Sequence, residues 1–358
     1  MIPAEAPKGT NRGARIRTGD LADPNGARYQ AAPRPDERTS MPRRTQPQEL
    51  LIVVQAQPRT GGLSTAGSGA ARTAATRTSL PTHMRFSDRH VELRTIPTTD
   101  HIPIIELPDI VLESARLLDP TGFEDLGPNG LQVSGAFEVR RIVTGVSAQV
   151  ELFERAAELD AQLVLVHHGL FWNFHPPGLD RRRLERLRVL LEHDLSLLAY
   201  HLPLDAHPEI GNNALLAKAL GCESHEPFGL YRERAIGRLG RFPEVEGIGV
   251  GELVERVSAA TGGRTPLLQG AGPDRVRTIG IVSGSAADSL DEAIERGCDA
   301  FLTGEPREHV MADAREAGIH FLAAGHYATE THGIRALGER LSERFGIEHV
   351  FVDLPNPV

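Results

Sequence analysis

Cysteine, lysine and tryptophan are scarce in this chain. Among its 358 residues there are two cysteines, Cys222 and Cys298, and no Cys-x-x-Cys spacing. That excludes a disulfide scaffold and makes a reducing, cytoplasmic compartment the default. Long apolar runs are also missing. The longest near the N-terminus, residues 50–54, falls far short of the ~18 residues that a membrane span needs. Net positive charge is lacking too, with 39 Lys+Arg against 48 Asp+Glu, a balance of −9. This argues against general binding of nucleic acid or an acidic membrane by the whole molecule. Only Lys8 and Lys218 are lysines, against 37 arginines, a composition expected of a GC-rich genome.

The hydrophobic share of 40% is ordinary for a globular protein, and the length suits two or three domains. Charge is spread unevenly. Residues 1–100 carry 15 basic and nine acidic side chains, leaving 24 basic and 39 acidic in the remainder, a balance of −15. The first hundred are crowded with Pro, Thr, Gly, Ser and Ala and show no sustained helical or strand period. Such a stretch buries too little apolar surface to offset its conformational entropy. Residues 1–104 are therefore expected to be a disordered or spurious N-terminal extension, with Met84 one alternative start. A targeting peptide is the competing reading, although the stretch is long and not free of acidic residues.

The ordered part divides into a first α/β half, 105–235, and a second, 236–358, expected to intertwine as one module. The division rests on a repeated pattern. Residues 139–146 read as a buried strand, 150–159 have helical spacing, and 163–166 are a second apolar strand. The same order returns as strand 276–282, helix 286–296 and strand 300–302. Further on, strand 195–200 precedes His201-Leu-Pro-Leu-Asp205 and a helix over 213–220 ending at Gly221. In parallel, strand 320–324 precedes Gly325-His-Tyr-Ala-Thr-Glu330 and a helix over 334–345 ending at Gly346. Glycines there suit left-handed helix caps. The expectation is an α/β fold, a duplicated three-layer α/β/α unit.

Chemistry-bearing residues gather where apolar strands end, the edge at which open α/β sheets bind ligands. They are His167 and His168, then His201 and Asp205, then His326 and Glu330. If a helix starts after Gly325, His326 and Glu330 share one of its faces; Pro203 and Pro208 place Asp205 in a loop. Imidazole and carboxylate without thiolate favour divalent Zn, Mn, Fe, Co or Ni. One carboxylate can bridge two ions, and two ions roughly 3.5–4 Å apart can clamp an attacking hydroxide and a developing oxyanion. A lone histidine after a strand is more often a hydrogen-bonded residue than a ligand, so His207, His309, His320 and His332 are set aside. The run Asp180–Arg188 reads as a solvated helix face. Gly-rich 282–285 lacks the Lys and Ser/Thr of a phosphate-cradling loop.

A specific resemblance follows from seven motifs in order: Pro128-Asn-Gly-Leu-Gln-Val133, His167-His-Gly-Leu-Phe-Trp172, His201-Leu-Pro-Leu-Asp-Ala-His-Pro208, Gly211-Asn-Asn213, Thr303-Gly-Glu305, Gly325-His-Tyr-Ala-Thr-Glu330 and Leu354-Pro-Asn-Pro357. Together they resemble the NIF-three-like family of GTP cyclohydrolase I type 2 homologues, in its short bacterial form, over residues 105–358. The resemblance implies a toroidal homohexamer with two divalent metal ions per subunit. It implies His167, His168, Asp205, His326 and Glu330 as ligands, Glu330 bridging both ions, with His201 near the site as a possible sixth ligand or catalytic group. It also implies a metal-dependent hydrolase of a nucleotide-like substrate, such as GTP or damaged nucleotides. The competing class is a non-enzymatic metal-binding ring serving as scaffold, metal store or regulator. A nucleic-acid partner is disfavoured by the −15 balance, and a membrane partner by the short apolar runs.

Overall fold

Short β-branched runs bounded by glycine or polar residues form two large sheets in the computed structural model of the chain, which describes residues 102–358. Beside them stand two small two-stranded pairings, Ile105–Glu106 with Glu138–Val139 and Ile248–Gly249 with Arg275–Val276. The expectation for a disordered leader lies outside the described residues over 1–101.

The first sheet contains β1 (Gly130–Val133), β2 (Arg141–Ser147), β3 (Leu163–His168) and β4 (Ser196–Ala199). The second contains β5 (Ser224–Tyr231), β6 (Arg234–Arg241), β7 (Leu267–Gln269), β8 (Thr278–Val282), β9 (Ala300–Thr303) and β10 (His320–Ala323). A last strand, β11 (Glu348–Phe351), returns to the first sheet, giving the orders β11-β2-β3-β4-β1 and β7-β10-β9-β8-β6-β5. In each sheet three consecutive strands run parallel, β2-β3-β4 and β8-β9-β10. Antiparallel strands flank them: β1 on β4, β7 on β10 and β6 on β8.

Parallel strands need crossovers, and helices supply them. The first pair is α2 (Val150–Glu158) and α3 (Arg181–Glu192), following α1 (Leu107–Leu118). After β4 come α4 (Leu202–Ala206) and α5 (Asn212–Ala219), then α6 (Val250–Ala260) beyond β6. The second crossovers are α7 (Leu290–Glu295) and α8 (Glu308–Ala317), and α9 (His326–Thr329) and α10 (Thr331–Phe345) complete the set. The same strand–helix–strand–helix–strand order thus occurs in both sheets.

Each sheet is buried on both faces, which is why its central strands read as continuous apolar runs rather than alternating ones. On the first sheet, Leu107 and Ile110 of α1 and Ile334, Leu337 and Leu341 of α10 pack on one face; Leu152, Phe153, Val189 and Leu190 of α2 and α3 pack on the other. On the second sheet, Leu216, Leu253 and Val257 of α5 and α6 oppose Leu290, Ala293, Val310 and Ala314 of α7 and α8. Two three-layer α/β/α arrangements result. No helix among the described residues is long and apolar enough to cross a membrane.

Two local expectations change. The stretch around Asp205 is not a loop but the single helical turn α4. Pro203 sits in the first turn, where its missing N–H has no intrahelical partner to lose, and the His201 carbonyl accepts from the N–H groups of Leu204 and Asp205. The helix expected over 286–296 begins as a 3-10 turn, Ala287–Ser289, before α7. Elsewhere the charged run forms α3 and its surface, with Asp180 capping the Arg183 N–H. Gly221 and Gly346 adopt the left-handed backbone expected of them, with φ of 84° and 70°.

Candidate metal centre

Strand ends bring the six singled-out residues to one place. β3 terminates in His167 and His168, β4 runs into His201 and α4, and β10 leads through Gly325 into α9. The φ of 100° at Gly325 lets the chain turn sharply there. Glu330 is the hinge residue between α9 and α10. The site is thus built from both sheets.

Glu330 reaches three imidazoles, and Asp205 shares one of them. His167 Nε2 lies 3.5 Å from Asp205 Oδ2 and 3.6 Å from Glu330 Oε1. The other Glu330 oxygen, Oε2, lies 3.1 Å from His168 Nε2 and 3.2 Å from His326 Nε2. The ligand-type atoms of His167, Asp205 and Glu330 form one group within 4.8 Å of one another; those of His168, His326 and Glu330 form a second. Glu330 is shared by both. A third such group joins His201 to His167 and His168.

Surrounding hydrogen bonds orient this set. His167 Nδ1 donates to the Tyr200 carbonyl at 3.0 Å, which directs the Nε2 lone pair of the neutral ring at the carboxylates. His326 Nδ1 donates to Glu305 with the same effect, and His168 Nδ1 faces Ser147 Oγ at 3.3 Å. Asp205 Oδ1 accepts from Asn212 Nδ2 at 2.8 Å and Ser283 Oγ at 3.1 Å, leaving Oδ2 for His167. Yet His167 Nε2 and Glu330 Oε2 are buried with no hydrogen-bond partner. Buried polar atoms are rarely left so; the first faces Asp205 Oδ2 and Glu330 Oε1, the second the Nε2 atoms of His168 and His326.

The electrostatics are dominated by burial and by the carboxylates. Burial opposes charge on His167, but the Asp205 and Glu330 carboxylates outweigh it and push the ring up to about 9. At His326 burial likewise works downward and is overcome by Glu330 and Glu305, again to about 9. His168 goes the other way, with burial outweighing Glu330. Glu330 itself is driven upward by burial but held well below the carboxylate range by His168 and His167. Three imidazole nitrogens and carboxylate oxygens with no sulfur, two of the atoms orphaned, fit a borderline or hard divalent ion.

Reading the sequence missed several residues of this site. Asp125 holds His201 through a 2.7 Å contact with its Nδ1, and nothing in the local pattern around Asp125 announces this. Glu305 stands just beyond β9, a strand-end position like the others, so that signal was available. Asn212, Asn213 and Ser283 form a buried network, with Asn213 Oδ1 accepting from the Ser283 N–H. Gly284, set aside with its neighbours as a weak phosphate loop, lies against the cluster at φ 68°, where a Cβ would overlap Glu330 Oε1. The four histidines left out are engaged elsewhere. His207 accepts from the Glu209 N–H, His320 bridges Gly272 N and the Pro273 carbonyl, His332 faces the Ala260 carbonyl, and exposed His309 faces Asp288.

A model of the family described as Duf34/NIF3 (NGG1p interacting factor 3) matches residues 105–357. The chain belongs to the Duf34/NIF3 family. Among Duf34/NIF3 relatives, a Pseudomonas aeruginosa protein named GTP cyclohydrolase 1 type 2 homolog is 48% identical over 253 residues, covering 71% of this chain and 99% of that relative. A Vibrio cholerae protein of the same name is 44% identical over 251 residues, 67% of this chain and 95% of the relative. Two solved structures are similar. Protein ybgI, whose function its description gives as unknown, has a TM-score of 0.67 at 39% identity, and a Thermus thermophilus protein has 0.65 at 36%. Each covers 71% of this chain and all of the solved chain.

Proposed function

We propose that this Duf34/NIF3 protein is a metal-dependent hydrolase acting on a nucleotide-like substrate and holding two divalent ions per subunit. His167 and Asp205 would hold one ion, His168 and His326 the other, and Glu330 would bridge them. One observation carries this reading: the two oxygens of a buried carboxylate face two different groups of imidazoles. The curated relatives' name, GTP cyclohydrolase 1 type 2 homolog, supports a purine nucleotide as substrate class.

An ion pair in this position supplies Lewis acidity toward a developing oxyanion and a nucleophile. The chain's own residues do the rest. A cavity of about 190 Å³, walled by Ser147, His168, Glu305, His326, Tyr327 and Asn356, opens on the cluster and admits the reacting end of a substrate. His201, its Nδ1 tied to Asp125, turns Nε2 inward as a proton carrier, its ring 5.0 Å from that of His167 and edge-on to Trp172. Ser283, Asn212 and Asn213 keep Asp205 from rotating.

The test is turnover. Purified, metal-loaded protein offered GTP and a panel of oxidised nucleotides should hydrolyse at least one, and Glu330→Ala should abolish it. No hydrolysis under any of Zn, Mn, Fe, Co or Ni overturns the reading. A second reading, a non-enzymatic ring acting as scaffold, metal store or regulator, is favoured by depth: the side chains of His167 and Glu330 are 0% and 3% exposed. Ions saturated by protein ligands support it, whereas an open coordination position on each ion supports hydrolysis.

In the same proposal the protein is a cytoplasmic homohexamer. Exposed Leu112, Phe174, Leu191, Leu230 and Val245 are apolar surface that subunit contacts would cover. Light scattering giving a monomer mass would exclude the ring. The recurrence of one strand–helix order in both sheets supports reading the two halves as copies that form a single module.

A further inference from the structure

Arg238 is buried, at 4% exposure, and no lysine or other arginine among the described residues is. It lies in β6, whose end residues Arg234 and Arg241 are exposed, as arginines ordinarily are. Its neighbour Leu239 packs with Leu290 and Val310 of α7 and α8. Alternation along the strand turns Arg238 to the opposite face of the second sheet. There it meets α4, the single turn that follows β4 of the first sheet.

Among the described residues this guanidinium forms no ion pair. It donates instead to two backbone carbonyls, Nη2 to Ala206 at 2.5 Å and Nη1 to Gly237 at 3.0 Å. Taking a cation out of water with no anion beside it is costly. Such a group holds the carbonyls it meets firmly, because they are what compensates it.

The Ala206 carbonyl is one that needs holding. α4 is too short to be stable by its own hydrogen bonds. Its last carbonyls lack intrahelical partners, and the negative end of a helix favours a cation. Asp205 immediately precedes Ala206, and its Oδ2 lies 3.5 Å from His167 Nε2. A second contact runs the same way: Asn213 Nδ2 donates to the Ile236 carbonyl of β6 at 2.8 Å and to the Asp205 carbonyl at 3.4 Å. Arg238 is thus the charged half of a two-point tie between β6 and the backbone of Asp205 and Ala206. Asn212 and Ser283 hold the Asp205 carboxylate itself; Arg238 holds the turn beneath it.

We propose that Arg238 is the positioning residue for Asp205, a buried guanidinium of the second sheet that sets where this carboxylate of the first half meets His167. It acts through the Ala206 carbonyl. The consequence for metal rests on the reading of Asp205 as a ligand; the tie to α4 does not.

The experiment reads amide hydrogen exchange and metal content on the full chain, well below the unfolding temperature. Arg238→Met keeps an apolar stem but removes the charge and the donors. In metal-free protein it should speed exchange at the Leu204 and Asp205 N–H groups, both bonded to the His201 carbonyl, by about tenfold or more. Arg238→Lys, which keeps the charge on a single nitrogen, should fall between. Val310→Ala, a truncation in the buried face of α8 that weakens the fold generally, should leave those two amides as in wild type. By elemental analysis wild type and Val310→Ala should each hold two ions per subunit and Arg238→Met one, with the second partly restored in Arg238→Lys. Exchange at Leu204 and Asp205 that is unchanged in Arg238→Met, or raised as much by Val310→Ala, overturns the tie. Faster exchange with both ions held at wild-type affinity shows that Arg238 steadies α4 without placing Asp205, and overturns the positioning role. If Arg238→Met does not fold, Arg238→Lys carries both readouts. If wild type holds fewer than two ions, the two-ion reading fails, and the exchange arm alone decides whether Arg238 fixes the turn of Asp205.

Discussion

Asp125 and His201, 76 positions apart in the chain, meet through a 2.7 Å contact between Asp125 Oδ1 and His201 Nδ1. The second Asp125 oxygen accepts from the Leu202 N–H at 3.0 Å and from Asn129 Nδ2 at 2.9 Å. A carboxylate that is 3% exposed thereby fixes both the ring of His201 and the first residue of α4, the turn that carries Asp205. Burial pushes the Asp125 carboxyl upward, but His201 and Asn129 outweigh it and hold it below its ordinary 3.8.

This pairing should be measurable as coupling. Asp125→Asn and His201→Ala are each expected to destabilise the protein by about 1–3 kcal/mol, as for other hydrogen bonds to charged groups. The double variant should lose less than the sum by at least about 0.5 kcal/mol. The depressed Asp125 value makes its contribution present above pH 3.8 and lost as pH falls through the folded value, so Asp125→Asn should flatten the acid limb. Denaturation midpoints that simply add would show that the two side chains act independently.

Metal content tests Glu330. Wild type should carry close to two ions per subunit by elemental analysis, and Glu330→Ala should lose at least one of them. Full occupancy in the variant would contradict the bridging role.

Gly284 provides a steric test of the same carboxylate. Gly284→Ala introduces a Cβ into Glu330 Oε1 at φ 68°, whereas Gly297, at φ 65°, faces open space. Both alanine variants carry the left-handed backbone penalty of about 1 kcal/mol. Only Gly284→Ala should also weaken metal uptake, by about tenfold or more. Equal metal affinities in the two variants would show that Glu330 moves freely aside.

Protons and metal ions should compete. His167 and His326, raised to about 9 from an ordinary 6.5, hold protons at neutral pH that ligation must expel. Calorimetry in buffers of different ionisation enthalpy should therefore show proton release on metal binding, and affinity should climb between pH 6.5 and 9. In metal-free protein the sign reverses. These two raised values contribute stability that is full below pH 6.5 and lost as pH rises through about 9. The depressed Glu330 contributes above its ordinary 4.5 and is lost as pH falls below it. Thermal unfolding in chelator should thus show a maximum between about pH 4.5 and 6.5 from these groups, moving upward once metal is restored. An unchanged optimum would mean that the cluster does not titrate as a unit.

Much of this protein can be read along the chain. Runs such as Leu163–His168 and Ala300–Thr303 declare themselves because strands buried on both faces are apolar throughout, and each ends at a polar residue that must leave the core. The histidines and carboxylates at those ends are visible for the same reason, since local chemistry marks them. What tertiary structure alone decides is which of them meet. The division of Glu330's two oxygens between His167 and the His168–His326 pair depends on α10 carrying the chain from the second sheet back to the first. The single helical turn at Asp205 depends on Pro203 having no N–H to lose there, which spacing could not reveal. Asp125 and Gly284 were silent because their partners lie far off in sequence, and neither a lone aspartate nor a lone glycine has a period. Residue type and local pattern determined the elements and the donor chemistry; long-range packing decided the distances, and with them which imidazoles and carboxylates form the candidate metal-binding groups.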